Sequence, residues 1–366
     1  MIQLSFLVSL PLKGRGARSI ELQPSGLSPM LCATDHHASA HCIRLRKTVP
    51  MKLAILFTLA LVLATSSLAA DDCPPPLRIE QSPEQVMVLQ GDAPVLTYQR
   101  APKSLDGKYE RAGYVHPLFD LDGNEMTEDF PADHPHHRGI FWAWHQLSVG
   151  DVRTGDPWVC KDFLTEVRTV DIIECCPQQV AFRVSADWTS PLWADEAGVK
   201  RPIVRELTTI RVHSPVNDSR TIDFEIALTA AEANVRIGGS EDVKGYGGFS
   251  PRIRLPEGLT FLTNWGIATP QTTSVDPSPW LNMTAAFGSD EKLSSVTILS
   301  HPSVPGFPQR WILRQRRSMQ NPVFPGREAV TLPTDCPLVF RYRMILHRGE
   351  ASADQIRDWQ AAFSSQ

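Results

Sequence analysis

The sequence predicts an all-β protein, a large antiparallel β-sandwich with a short C-terminal helix. Three observations carry this. Runs rich in Val, Ile, Thr and Phe recur along the chain with alternating polarity. Turn-forming clusters separate them without intervening amphipathic helices, which excludes a βαβ arrangement. Thirty prolines and 22 glycines in 366 residues exclude a coiled coil or long-helix protein.

In chain order, residues 71–76 (DDCPPP) form a stiff, extended leader. Gln85–Gln90 and Val95–Arg100 flank a Gly-Asp-Ala-Pro turn and read as a hairpin. Asp162–Glu174, Gln179–Trp188, Ile203–His213 and Thr221–Thr229 read as strands, as do Ser295–Ser300 and Pro337–Leu346. Ile222, Phe224, Ile226 and Leu228 recur at every second position with Asp223 and Glu225 between, so one face enters a core and the other meets water. Residues 217–220 (NDSR) are a hairpin turn. Ser352 with Gln355 three residues later forms a capping box, and Ile356, Trp359 and Phe363 line one face of the helix that follows.

The first seventy residues stand apart. Residues 51–70 have a basic start at Lys52, an unbroken run from Leu53 to Ala64 and small residues before Asp71, the pattern of a signal peptide. Twelve residues span only about 18 Å of a roughly 30 Å hydrocarbon core, too little for an anchor. Translation is therefore expected to start at Met51, with 1–50 a mis-assigned, disordered upstream extension; a long n-region is the alternative. Residues 71–366 are expected to form one domain. Residues 1–70 hold seven of the 36 basic groups and two of the 40 acidic ones, so 71–366 carries 29 against 38, a net of −9. That describes an exported anionic protein, periplasmic or extracellular, with no electrostatic case for nucleic acid. No later run approaches eighteen apolar residues, so no membrane span is expected after signal cleavage. Five cysteines remain in 71–366 without a C-x-x-C pair, which gives no zinc knuckle; one or two disulfides fit an oxidising compartment.

Chemistry concentrates in a histidine cluster. Five of the eight histidines beyond residue 71 lie between His116 and His145, around Asp133-His134-Pro135-His136-His137-Arg138-Gly139. Pro135 favours extended backbone, which would put His134 and His136 on one side and His137 on the other. Three readings are open. A divalent metal could sit on His134 and His136 with His116 or Asp133 as a third ligand. A metal-free pocket could use His136 or His137 as acid or base, because imidazole titrates near working pH. In it Arg138 and His116 would complete the catalytic set, and Trp142 or Trp144 would stack on a sugar face. The cluster could also be a structural loop. No cofactor is required by the sequence.

Two further segments are candidates for the pocket rim. Residues 238–252 are glycine-rich and present Tyr246 and Arg252 as ligand contacts, with Glu241 and Asp242 as candidate carboxylate bases. The segment lacks G-x-G-x-x-G in a strand–helix context, so no dinucleotide site is expected. His301-Pro302 with Trp311, Arg314, Arg316 and Asn321-Pro322 forms the other, with His301 a candidate ligand contact. No G-x-S-x-G, Walker loop or kinase motif is present.

Four segments together resemble the PmoA-like family of exported bacterial proteins. They are Tyr114-Val115-His116-Pro117-Leu118 with Gly123, residues 133–139, Gly247-Gly248 through Arg252, and His301-Pro302 with Trp311, Arg314 and Asn321-Pro322. The resemblance spans roughly Val86 to Arg348 and departs at Val304, where Asn is usual. It implies a large antiparallel sandwich of the galactose-mutarotase supersandwich kind, with His116, His136, His137 and Arg138 in the pocket. The family's label, methane oxygenase, belongs to an enzyme of several membrane-spanning helices, which this chain lacks after its signal. The expected function is therefore a carbohydrate-active hydrolase, lyase or epimerase on a sugar or modified glycoside. The alternatives are a non-catalytic sugar-binding module and a metal-dependent oxygenase or hydrolase.

Overall fold

The computed structural model describes residues 74–366. The expectations for residues 1–50 and 51–70, and Cys73, lie outside the described residues.

Two antiparallel sheets dominate. The first has six strands in the order Leu77–Gln81, Gln85–Gln90, Ala93–Gln99, Tyr114–Leu118, Ile140–Ala143 and Gly248–Pro251. The second has nine: Leu164–Cys176, Gln179–Thr189, Val204–His213, Ser219–Ala230, Leu338–Arg348, Leu293–Ser300, Trp280–Ala286, Thr260–Thr263 and Gly266–Ile267. The all-β antiparallel architecture is thus as the sequence predicts, and the named runs agree with strands to within about two residues. Leu164–Cys176 starts late because Cys160 and Asp162 adopt φ of 58° and 52°, which no strand allows.

Strand alternation explains the layering. Ser219–Ala230 buries every second residue, from Arg220 and Ile222 to Ala230. Its turn at Asn217-Asp218 has φ of 48° and 59°, the left-handed pair that a two-residue hairpin requires. Ile222, Phe224 and Ile226 meet Val86, Val88, Tyr98 and Val115 of the first sheet in one core. Phe249 bridges the layers, stacked 4.5 Å from Tyr342 and edge-on to Phe224. Residues of opposite parity on the second sheet, Trp280, Leu299 and Ile345, take the helix Ala353–Ser364 through Ile356 and Phe363. The Ser352 side chain accepts the Gln355 N–H, as the capping box predicts. No disulfide joins any two of the described cysteines; Cys160, Cys175, Cys176 and Cys336 are free. Among the described residues no helix is long and apolar enough to cross a membrane.

A four-stranded sheet flanks these layers in the order Val330–Thr331, Val235–Gly238, Gln146–Val149 and Val152–Gly155. It continues directly from Ile140–Ala143 and so carries the chain from the histidine segment into the glycine segment. Phe249→Ala should destabilise the fold by about 3–5 kcal/mol, the cost of an aromatic cavity in a packed core. Thermal or urea unfolding measures it, and a loss under 1 kcal/mol would mean that the two sheets do not depend on this bridge.

Candidate functional site

The histidine segment is a turn rather than a strand. Pro131 O accepts from His134 N and His134 O accepts from His137 N, at 3.1 and 2.8 Å, with Pro135 second in the latter turn. That is the position proline's fixed φ favours. The turn overrides the extended alternation and gathers all three imidazoles. His134 stacks on His137 at 4.8 Å, and His136 stands edge-on to His137 at 4.6 Å.

Buried arginines hold this turn. Arg138 has no exposed surface and is held by Asp129 and Tyr114 Oη. It also donates to Lys103 O and Tyr109 O, both at 3.1 Å, and lies 3.4 Å over the Phe130 ring. Arg252, also buried, donates to Glu128 at 2.6 Å and to both Asp133 oxygens at 2.9 and 3.2 Å. Burial opposes ionisation of Asp133, but bonds from His134 and Arg252 and the Arg252 charge outweigh it and hold its carboxyl below the usual range. Gly139, at φ +50°, must be glycine: a Cβ there would overlap the Val115 carbonyl.

These contacts correct two expectations. Arg138 and Arg252 are positioning residues that stand behind the turn, and neither lines the cleft that the turn opens onto. Trp142 and Trp144 are also withdrawn from ligand. They are 5% and 1% exposed, and Trp144 Nε1 donates to Phe324 O at 2.9 Å. Residues 141–144 alternate between two cores, and the tryptophan side faces the main one. Phe141 and Ala143 face the histidines, where they join Tyr114, Met319 and Trp158 in a smaller core.

The turn opens onto a cleft of about 290 Å³, close to the lower end for small-ligand sites. His134, His136, His137, His145, Lys244, Tyr246 and Arg314 line it, with Arg316, Arg317, Ser318 and Met319 on the facing loop. His116 is not among the lining residues. Its Nδ1 bonds Thr127 Oγ1 at 3.0 Å and its Nε2 lies 3.9 Å from Glu125. The ligand set His134, His136 and His116 is therefore not assembled, and no group of three His, Cys, Asp or Glu side chains among the described residues is arranged to hold a metal. His301 lies apart, bonded to Ser303 at 2.7 Å and packed on Phe363 of the helix. Glu241 and Asp242 are engaged by Arg153 and Lys244 at 2.8 and 3.0 Å. Asn321 is buried and ties the glycine segment together through Gly247 O and Phe249 O. Val304 is a core residue.

Sequence reasoning missed the part of the site with the best-defined geometry. Asp156 Oδ1 accepts from the backbone N–H of Trp158 and Val159 at 3.0 and 3.2 Å. Its other oxygen accepts from His145 Nδ1 at 2.9 Å. A carboxylate can only accept, so the neutral imidazole carries its proton on Nδ1 and leaves Nε2 bare. That Nε2 is buried and unpaired, as is His137 Nδ1. Trp158 is the hub. It stacks on His145 at 5.4 Å and stands edge-on to His137 and Tyr246 at 5.7 and 4.8 Å. Asp-Pro-Trp at 156–158 is a turn signal followed by an aromatic, and nothing in its spacing ties it to the histidines.

Burial, with the charges of His134, Arg111 and His145, lowers the His136 pKa to about 4, and burial pushes His137 well below the ordinary imidazole value. Both rings are neutral at neutral pH.

The fold and cleft define an antiparallel β-sandwich protein with an imidazole-lined site. Residues 85–360 match the model of a family of unknown function, DUF6807, and the chain belongs to that family. The match brings neither an activity nor the PmoA name. A search of curated proteins finds no match. Among solved structures the chain is similar to an assigned mutarotase, YeaD, from Salmonella typhimurium, at 8% identity and a TM-score of 0.32, covering 75% of this chain and 94% of that one. It is also similar to a GalM/aldose epimerase homologue from C. elegans, at 7% identity and a TM-score of 0.32, covering 75% of this chain and all of that one.

Two outcomes follow. Arg138→Met should cost about 3–5 kcal/mol, because Asp129 would keep a half-buried charge without its partner; chemical denaturation measures this. The His136 ring should titrate near pH 4 by NMR. Its folded pKa lies below the unfolded value of about 6.5, so the unfolded chain binds the proton first as pH falls. Its share of stability is complete above about pH 6.5 and is lost toward pH 4. His136→Gln should flatten the melting temperature in that window, and an ordinary titration near 6.5 would contradict the buried ring.

Proposed function

We propose that this chain is an exported carbohydrate-active protein that carries out proton transfer on one sugar unit, as a hydrolase, lyase or epimerase. One observation carries the reading. His145 Nε2 and His137 Nδ1 are buried without partners beside a cleft whose volume suits a single sugar ring. An unpaired imidazole nitrogen is costly in a fold and useful to a reaction.

His145 is the acid/base. Asp156 fixes its tautomer and orientation and stabilises the imidazolium once a proton arrives. His136 and His137 are neutral hydrogen-bonding groups that orient hydroxyls, with Tyr246 closing the opposite wall beside Trp158. Export is supported by the signal-peptide pattern of residues 51–70. A sugar ligand is supported by the aromatic and polar make-up of the cleft and by the motif resemblance.

The test is a screen of glycosides, uronides and keto-sugars, followed by variants. His145→Ala should lower kcat by about 10²–10⁴-fold, the usual weight of a general base. Asp156→Asn should lower it less and shift the pH profile. Turnover untouched by either change sinks the catalytic assignment. Ligand binding with no turnover by the unaltered protein identifies a sugar-binding module instead.

A further inference from the structure

The charge of the cleft is lopsided. Four of its lining residues, Lys244, Arg314, Arg316 and Arg317, are cationic, and none is a carboxylate. This is unexpected in a chain whose residues 71–366 carry a net of −9. Lys244 is paired with Asp242. The Arg314 guanidinium donates to the carbonyls of Gln271, Leu313 and Thr272 at 2.7–2.8 Å, which fixes it without cancelling its charge. Among the described residues no carboxylate lies within salt-bridge distance of Arg314, Arg316 or Arg317, so three arginines within four positions lack a direct ion-pair partner, and Asp242 acts on Arg314 only from farther off.

The loop that bears them is built to hold its shape. Gln320 Oε1 accepts from Arg314 N at 2.8 Å, and Gln320 Nε2 donates to Arg314 O at 2.9 Å, which closes the loop at its neck. Arg317 at the tip has φ +54°, a conformation that side-chain-bearing residues rarely adopt. Across from this loop stands His137, 2% exposed, with its unpaired Nδ1. A fixed cationic rim facing a buried, unpaired imidazole is an anion site with a polar floor.

The absence of acidic lining residues also narrows the chemistry. Glycoside hydrolysis ordinarily uses two carboxyl groups flanking the scissile bond, and this cleft lines neither side with one. An imidazole base beside arginines suits a different step, removal of a proton from carbon next to a carboxylate. The arginines neutralise the carboxylate and stabilise the charge that builds on it.

We infer, building on the reading above, that the ligand is a uronate-type sugar whose carboxylate meets the Arg314–Arg317 loop, and that its α-proton passes to His145 Nε2. The C–H electron pair moves into the carboxylate as an enolate. A proton delivered to the opposite face by Tyr246 or water inverts that carbon, and His145 then gives up the proton it took. Alternatively the pair forms a C=C bond as the C–O bond at the next carbon breaks, and the leaving oxygen takes a proton from Tyr246 or water. Either path starts with the same proton loss.

The experiment is calorimetric titration of the purified protein with uronate oligosaccharides, their neutral parents and sulfated counterparts, at low and high salt. The same uronates are incubated in D₂O and read by NMR at the carbon next to the carboxylate. Uronates should bind at least about tenfold tighter than neutral parents, one charge-assisted contact's worth, with the margin shrinking in salt. Arg314→Gln should remove that margin. Arg317→Gln, at the exposed tip and far from the core, is the second variant should the first fail to fold. Deuterium should enter with the unaltered protein and not with His145→Ala. Equal binding of neutral and acidic sugars overturns the inference and leaves the sugar reading standing. Sulfated sugars that match uronates overturn the carboxylate assignment. Tight uronate binding without deuterium entry overturns the proton step. Binding of no sugar overturns both readings together.

Discussion

Three buried arginines under the cleft hold the site in shape. Arg138 anchors the histidine turn to Asp129 and to two neighbouring carbonyls. Arg252 ties the start of the same turn to the glycine strand through Glu128 and Asp133. Arg111 donates to the carbonyls of Pro157 and Trp158 at 2.7 and 3.0 Å and so sets the loop that carries Asp156. Arg252 and Arg111 spend their charge on loops, and Arg138 joins a loop carboxylate to the carbonyls of the short strands Lys103–Leu105 and Lys108–Arg111. Loops can be as well placed as strands when buried guanidinium groups satisfy their carbonyls and carboxylates, and a single guanidinium can reach several at once.

The result is a division of labour between two kinds of arginine. Those behind the turn are buried and bonded to carbonyls and carboxylates. Those on the facing loop are held at the neck and unpaired at the tip. The imidazoles lie between, and burial keeps His136 and His137 uncharged, so those two rings add nothing to the positive charge of Lys244 and the facing loop. His145 and His134 each bond a carboxylate, Asp156 and Asp133, whereas His136 and His137 have none.

The sheets were legible because period-two alternation is a local signal. Ile222 through Leu228 declare their face without reference to anything else in the chain, and Ser352 with Gln355 declares the helix start. The site was only partly legible. The Asp133–Gly139 motif does line the cleft, but its geometry depends on Pro135 entering a turn, which gathers three histidines that an extended chain would set on two sides. Arg138 and Arg252 looked like ligand contacts because sequence shows charge and not burial. Trp142 and Trp144 looked like platforms because parity was readable but the identity of the inner face was not. Asp156 and Trp158 lie within fourteen residues of His145, but the hydrogen bond and the stack that join them depend on how the strands between them fold, which the sequence does not show.

The position of Leu338–Arg348 has a temporal meaning. This strand follows every other strand in the chain, yet it sits at the middle of the nine-stranded sheet, between Ser219–Ala230 and Leu293–Ser300. Until it arrives, the sheet exists as two separate halves with unpaired edges, and Phe249 lacks the Tyr342 ring on which it stacks. The pairings that join the two halves of that sheet, and the Phe249–Tyr342 stack, therefore form only after the last strand of the chain is in place.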